Sequence, residues 1–282
     1  MEHSFHRVVT PVVKAMEAIL TALIPLTFLL MLALERIFPA RPLPRVRWWL
    51  LKGFVFFVIT GVFNAMLPAV IGPAMSAHAP LHLTSLGTIG GAIIAFLASD
   101  ALNYVIHRVL HNVPFVWRWT HQMHHSAERL DVAGAAYFHP FDMVVQIAPT
   151  TVVVCLLGVS ADAGALAGFM AFFYGVFQHL NVRTPQWLGY LIQRPEAHSV
   201  HHARGVHAYN YGNFPLWDLV LGTFRNPVAF TETAGFWDGA SARVGSMLLG
   251  RDIGEPVSRG AEMSPKAVTS AGLGTSASMG HH

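Results

Sequence analysis

One cysteine stands in the whole chain, and it lies in an apolar run. That excludes a disulfide framework and a thiolate metal cage, and it leaves Cys155 as a small hydrophobe. Charge is also scarce. Asp, Glu, Lys and Arg make up 12% of the residues, about half of what soluble domains carry. Hydrophobic residues make up 53%, and the mean hydropathy is +0.46. The chain therefore reads as an integral membrane protein. Its net charge of +3 does not point to nucleic acid, because the basic residues are scattered between apolar runs as in membrane proteins. Residues 1–14 carry no small-residue cleavage site after a short apolar region, so no signal peptide is expected. The zinc-protease pattern HExxH is missing too.

What the chain has in quantity is long apolar segments. They fall at about 15–34, 50–71, 85–106, 143–159 and 163–180. Roughly 20 apolar residues cross a bilayer. The first three are full spans; the last two are at the short limit and form a full or a shallow hairpin. The expected fold is thus an all-α integral membrane protein of about four to five transmembrane helices. The 36–52 loop holds Arg36, Arg41, Arg45, Arg47 and Lys52, with Trp48 and Trp49 as an interfacial anchor, and basic loops face the cytoplasm. Residues 107–142 and 181–282 then share that face.

Histidine is the second abundance. Eight of the 17 histidines form three clusters: His107 and His111; His121, His124 and His125; His198, His201 and His202. Positions i, i+3 and i+4 share one helix face, so each cluster is expected to aim its rings at one point. Packed imidazoles repel when protonated and lack partners when buried neutral, and a metal resolves both problems. Eight rings exceed the need of one ion and point to two. Imidazole suits zinc, copper, iron and nickel, so the ligands alone do not choose the metal. All three clusters fall on the cytoplasmic side, where a cap of short helices can receive an alkyl chain from the bilayer. Attack on an unactivated C–H bond needs an oxidising metal centre, so placement favours lipid oxidation over hydrolysis.

Asp100 and Tyr104 lie on the same helical stripe as His107 and His111, and are expected to support the site. Pairing of Asp100 with Arg108, or hydrogen bonding within the bundle, is the bland alternative. His78 and His82 sit in a loop on the opposite side and are bystanders; His281 and His282 belong to a polar, Gly- and Ser-rich tail. Two other classes fit a histidine-rich membrane protein. A haem cytochrome needs isolated histidines on facing spans, and a metal transporter needs polar ligands near the bilayer midplane.

The pattern Asp100-x3-Tyr104-x2-His107-x3-His111, His121-x2-His124-His125 and His198-x2-His201-His202 resembles the fatty acid hydroxylase/sterol desaturase superfamily. His139-Pro140, Gln178-His179-x-Asn181, Asn210-Tyr211-Gly212, Trp217-Asp218 and Leu221-Gly222-Thr223-Phe224 extend the resemblance over roughly residues 90–225. It implies a membrane di-iron oxygenase that uses O2 to hydroxylate or desaturate a lipid such as a fatty acyl chain or sterol. It implies two iron ions held by the eight cluster histidines, with His179 as a ninth ligand and His139 and His207 as weaker candidates. Where some relatives carry a further His pair, here His179 is followed four residues later by Arg183. Some relatives carry a fused cytochrome b5 domain; here electrons are expected from a separate cytochrome b5-, ferredoxin- or reductase-like donor. The implied organisation is N-terminal transmembrane helices at 1–84, a catalytic domain at 85–230 and a largely disordered polar tail at 231–282.

Overall fold

The structure is a computed structural model that describes residues 2–254, with side chains from residue 19 onward. The tail beyond 254, including His281 and His282, lies outside the described residues, as do the side chains of His3 and His6. The described chain is helical, apart from one isolated bridge between Ala203 and Ala234. It runs through three long helices, α1 (Glu2–Ile37), α2 (Trp49–Ser76) and α3 (Gly87–Asn112). Short helices α4 (Pro114–Trp119) and α5 (Gln122–His125) precede the pair α6 (Pro140–Leu157) and α7 (Ala161–Phe177). Short helices α8 (Pro195–His201), α9 (Pro215–Val220) and α10 (Val244–Leu248) complete a cap.

Among the described residues, four segments are long and apolar enough to cross a membrane: Ile19–Ile37, Trp49–Ser76, Leu83–Asn112 and Pro140–Leu157. The apolar helix α7, of 17 residues, is shorter and covers roughly 25 Å of a hydrocarbon core about 30 Å thick. The outer surfaces of these helices carry Leu29, Phe54, Val62 and Ile93, each more than 40% exposed, as a lipid-facing surface requires.

Proline sets the cap elements. α4, α6, α8 and α9 all begin with Pro in their first turn, where the missing N–H costs nothing and the fixed φ favours a helical start. Between α6 and α7 the chain reverses at Gly158, whose φ of 57° and close approach to the Leu81 backbone both require the absence of a Cβ. The Ser160 hydroxyl then accepts from the Ala163 N–H to start α7. α7 packs on α3 through small residues: Ala92, Ala95, Ala163 and Ala167 are nearly or fully buried, and Gly91 leaves room for Ala163.

The long helices alternate in direction, and one end of each meets the cap. Glu35, near the end of α1, accepts from the Val132 N–H at 2.9 Å. Trp49, at the start of α2, donates to Asp131 at 2.8 Å. His107 lies in the last turns of α3, Asp142 in the first turn of α6, and His179 just past α7. The histidine clusters, far apart in sequence, are gathered at that common end. A stretch expected in the sequence to belong to a polar tail is also gathered there. Residues 231–254 strap the cap because Glu128 accepts from the Gly239 and Ser241 N–H groups, and Gln122 bonds the backbone of Arg251 and Ile253.

Candidate metal centre

Nine buried histidines form two groups. His107, His111, His121, His125 and His201 bring ligand nitrogens within 4.8 Å of one another; His124, His179, His198 and His202 do the same. All eight cluster histidines and His179 are thus brought together. The groups adjoin, since the His125 and His202 rings stack at 4.1 Å.

Against the expectation from their spacing, the two HxxHH clusters do not aim as units, whereas His107 and His111 enter one group together. His121 and His125 enter one group while His124 enters the other; His198 and His202 enter one group while His201 enters the other. Helical geometry explains the division. Positions i and i+4 differ by about 40° around the axis and point together, whereas i+4 and its neighbour i+3 differ by about 100°. An HxxHH segment therefore serves two centres, and two such segments facing each other, with HxxxH at His107 and His111, build a pair.

The rings are held from behind. The Nδ1 atom of His107 lies 2.7 Å from the Tyr211 carbonyl, that of His201 2.7 Å from the Tyr209 carbonyl and that of His179 2.6 Å from the Gly175 carbonyl. His121 Nδ1 lies 2.8 Å from the carboxylate of the fully buried Asp142. Carbonyl and carboxylate oxygens only accept, so these four rings donate through Nδ1 and, when neutral, present a bare Nε2 inward.

This arrangement tests whether a metal fits. The Nε2 atoms of His107 and His121 face each other at 2.9 Å, two lone pairs with no proton between them. Protonating either would place a full charge in a buried imidazole cluster, at a cost of several kcal/mol. A cation removes the conflict, and metal–imidazole bonds of about 2.1 Å meeting at a right angle set donors about 3 Å apart. Both ring nitrogens of His111, and Nε2 of His125 and His201, are buried without a hydrogen-bond partner. The donor set is nitrogen alone, which suits a transition metal.

Electrostatics agree. Burial, reinforced by neighbouring imidazoles, pushes His124, His125, His198, His201 and His202 far below the usual histidine range. Burial pushes His179 down to about 4. All are deprotonated at neutral pH, the form that ligates metal.

The remaining expected residues fall into supporting places. Asp100 touches no histidine; it accepts from the Asn213 and Phe214 N–H groups at 2.9 and 3.1 Å and so anchors the loop whose Tyr211 carbonyl holds His107. It makes no ion pair with Arg108 among the described residues. The Tyr104 hydroxyl lies 2.8 Å from Thr223 Oγ1, and its ring meets that of Tyr211 edge-on. His139 is outside both groups. Its Nδ1 accepts from the Phe141 N–H at 3.1 Å and caps α6, with Pro140 at the first helical position. His207 is also outside, but its Nδ1 lies 3.0 Å from that of His125. His78 is exposed, and His82 precedes a short turn far from the cap helices.

Two residues were given no role from the sequence, Asp142 and, although it was quoted in the Trp217-Asp218 motif, Asp218. Asp142 is the partner of His121; its place three residues past His139, at the start of an apolar run, was the available signal. Asp218 gathers the Tyr211 and Gly212 N–H groups and the Thr223 hydroxyl, each within 2.9 Å, and so fixes the same loop as Asp100.

Residues 92–223 match the family model for fatty acid hydroxylase, and every one of the nine grouped histidines lies within that span. This segment is similar to the fatty acid hydroxylase family. Relatives of the chain include the ornithine lipid hydroxylase OlsE of Rhizobium tropici, 31% identical over 58% of this chain and 51% of that protein. They include human lathosterol oxidase, 30% identical over 49% of this chain and 46% of that protein. Sphinganine C4-monooxygenase 1 of Arabidopsis thaliana is 23% identical over 59% of this chain and 66% of that protein. The chain spans about half the length of the first of these. No solved structure matches. The family segment opens in α3 and closes at Thr223, so it contains the metal centre, α6, α7 and the loop that holds His107 and His201.

Proposed function

We propose that the chain is a membrane-embedded oxidoreductase that hydroxylates, or desaturates, a lipid such as a fatty acyl chain or sterol. In this reading His107, His111, His121, His125 and His201 hold one iron ion, and His124, His179, His198 and His202 hold a second. The pair of irons, when bound, supplies the oxidising power of O2 against a C–H bond that no acid–base side chain can attack. The observation that carries the reading is the location of two adjoining all-histidine groups at the common end of apolar helices. Paired axial ligands on facing spans, as haem requires, would not produce groups of five and four.

The chain's own residues have defined tasks. Asp142 and the carbonyls of Tyr209, Tyr211 and Gly175 fix the tautomer and direction of their histidines. The Trp117 ring lies 4.9 Å from that of His111, and Phe138 stacks on His124 at 4.4 Å, walls that keep water from the rings. The lipid enters from the bilayer, and electrons come from a separate cytochrome b5-, ferredoxin- or reductase-like protein. We place the metal centre on the cytoplasmic face, on the strength of the basic 36–52 segment at the same end of the helices.

Comparative lipid mass spectrometry of a host with and without the protein, grown in 18O2, tests the reading. A lipid gaining 18O identifies a hydroxylase, and a lipid losing two hydrogens identifies a desaturase. Unchanged lipids, together with purified protein free of iron, would sink the proposal.

A further inference from the structure

A second feature at the same end of the molecule has a different chemistry. A cavity of about 540 Å³ opens where α1 ends and α2 begins. Three guanidinium groups line it, from Arg36, Arg45 and Arg129, together with the apolar Trp48, Leu50 and Leu51. Arg129 is committed: it pairs with Asp131 at 2.6 Å and donates to the Pro44 carbonyl. Arg36 and Arg45 make no hydrogen bond or ion pair among the described residues. The acid beside Arg36, Glu35, is 5% exposed and turned inward to the Val132 N–H. The cavity therefore presents two guanidinium groups with no carboxylate in ion-pair contact, Glu35 acting on Arg36 only through space.

Its depth is set by the fold. It sits between the end of one candidate membrane span, Ile19–Ile37, and the start of the next, Trp49–Ser76. That is headgroup depth, and Trp48, which is 64% exposed, is a side chain suited to it. Leu50 and Leu51, 46% and 56% exposed, continue the lining onto the membrane face of α2. The cavity is separate from the metal centre. Its inner wall, Trp49, packs with Met123 and Tyr137, and Met123 lies between the ligands His121 and His124.

We propose that this cavity binds the anionic headgroup of a membrane lipid, its phosphate held by Arg36 and Arg45 and the start of its chains lying on Leu50 and Leu51. A phosphate takes guanidinium donors in a planar fork, and basic pockets between membrane helices select lipid headgroups. The apolar half of the lining favours a lipid over a free phosphate ion. The site stands whether or not the lipid bound there is the one oxidised, so it is independent of the proposed reaction.

Native mass spectrometry of the full chain in mild detergent, given equal phosphatidylglycerol and phosphatidylcholine, tests this. The expected result is retention of phosphatidylglycerol in preference to phosphatidylcholine. Arg36→Gln with Arg45→Gln should weaken that retention about thirtyfold, each basic residue at a lipid surface being worth roughly fivefold. Arg47→Gln, an exposed guanidinium outside the cavity lining, should weaken it by no more than about fivefold. Both substituted side chains are exposed; should the double variant melt early, Arg45→Gln alone carries the test. Equal retention by wild type and variant overturns the proposal, as does an equal loss in Arg47→Gln. Displacement of the lipid by millimolar inorganic phosphate also overturns it, in favour of a soluble anion.

Discussion

At His121 one ring nitrogen faces Asp142 and the other faces the bare nitrogen of His107. Replacing Asp142 by Asn keeps the shape but removes the charge that fixes the tautomer. The expected result is a loss of roughly 10–100-fold in metal affinity, read by metal titration of the purified protein, with the fold retained. His139 gives the contrasting case. As a helix cap, His139→Ala should cost about 1 kcal/mol of stability and leave the metal content of the protein unchanged, whereas His179→Ala should lower that content. An equal loss of metal from both variants would return His139 to the ligand set. Protons supply a third test. His179 and His207 bind protons at about 4 in the folded chain, against about 6.5 in the unfolded one. Between those values the unfolded chain holds more protons, so stability is full above pH 6.5 and falls as pH drops toward 4. The melting temperature of metal-free protein should therefore decline across that window; a flat profile would contradict the burial of these rings.

At the scale of the element, the histidines depend on a loop that contains none of the nine. Residues 209–214 offer the carbonyls of Tyr209 and Tyr211 to His201 and His107, and two acids hold that loop. Asp100 reaches it from α3 and Asp218 from α9. Asp218→Ala leaves the buried Tyr211 and Gly212 N–H groups unpaired, each at a cost of about 1–3 kcal/mol, while the Thr223 hydroxyl keeps Tyr104 as a partner. A lowered melting temperature and reduced metal occupancy should appear together, and Asp218→Asn should recover part of both. The stripe from Asp100 to His111 was legible in the sequence because helical spacing puts those residues on one face. The role of Asp100 was not, because its partners lie more than 110 residues away along the chain.

Over the whole molecule, five helix ends converge on one cap. With the basic 36–52 segment placed on the cytoplasmic face as proposed, the loop at 77–82 and the turn at 158–160 are expected on the opposite face. Cysteine labelling from either side of the membrane checks this, in a Cys155→Ala background: a probe cysteine at His78 should react only from outside, and one at Arg225 only from inside. Labelling of both from one side would break the proposed topology. The strap at 231–254 belongs to this scale as well. Glu128, Gln122 and Tyr137 bond its backbone and Met247 packs with Trp49 and Met123, and composition does not register such contacts.

The sequence by itself determined the solvent and the ligand chemistry. Apolar runs of bilayer length and a low charge content leave a membrane protein, and repeated imidazoles without thiolates leave an all-nitrogen donor set that could hold a metal ion. Helical spacing also settled that His107 and His111 act together. Tertiary structure alone decided how the histidines are shared. His124 and His125 are neighbours in the chain, yet they enter different groups because a helix turns about 100° between them and different partners wait on each side. It also decided that His179 joins the histidine groups, since that depends on the distant His124 ring lying within about 3 Å, whereas His139 is held as a cap by the N–H of Phe141 two residues on.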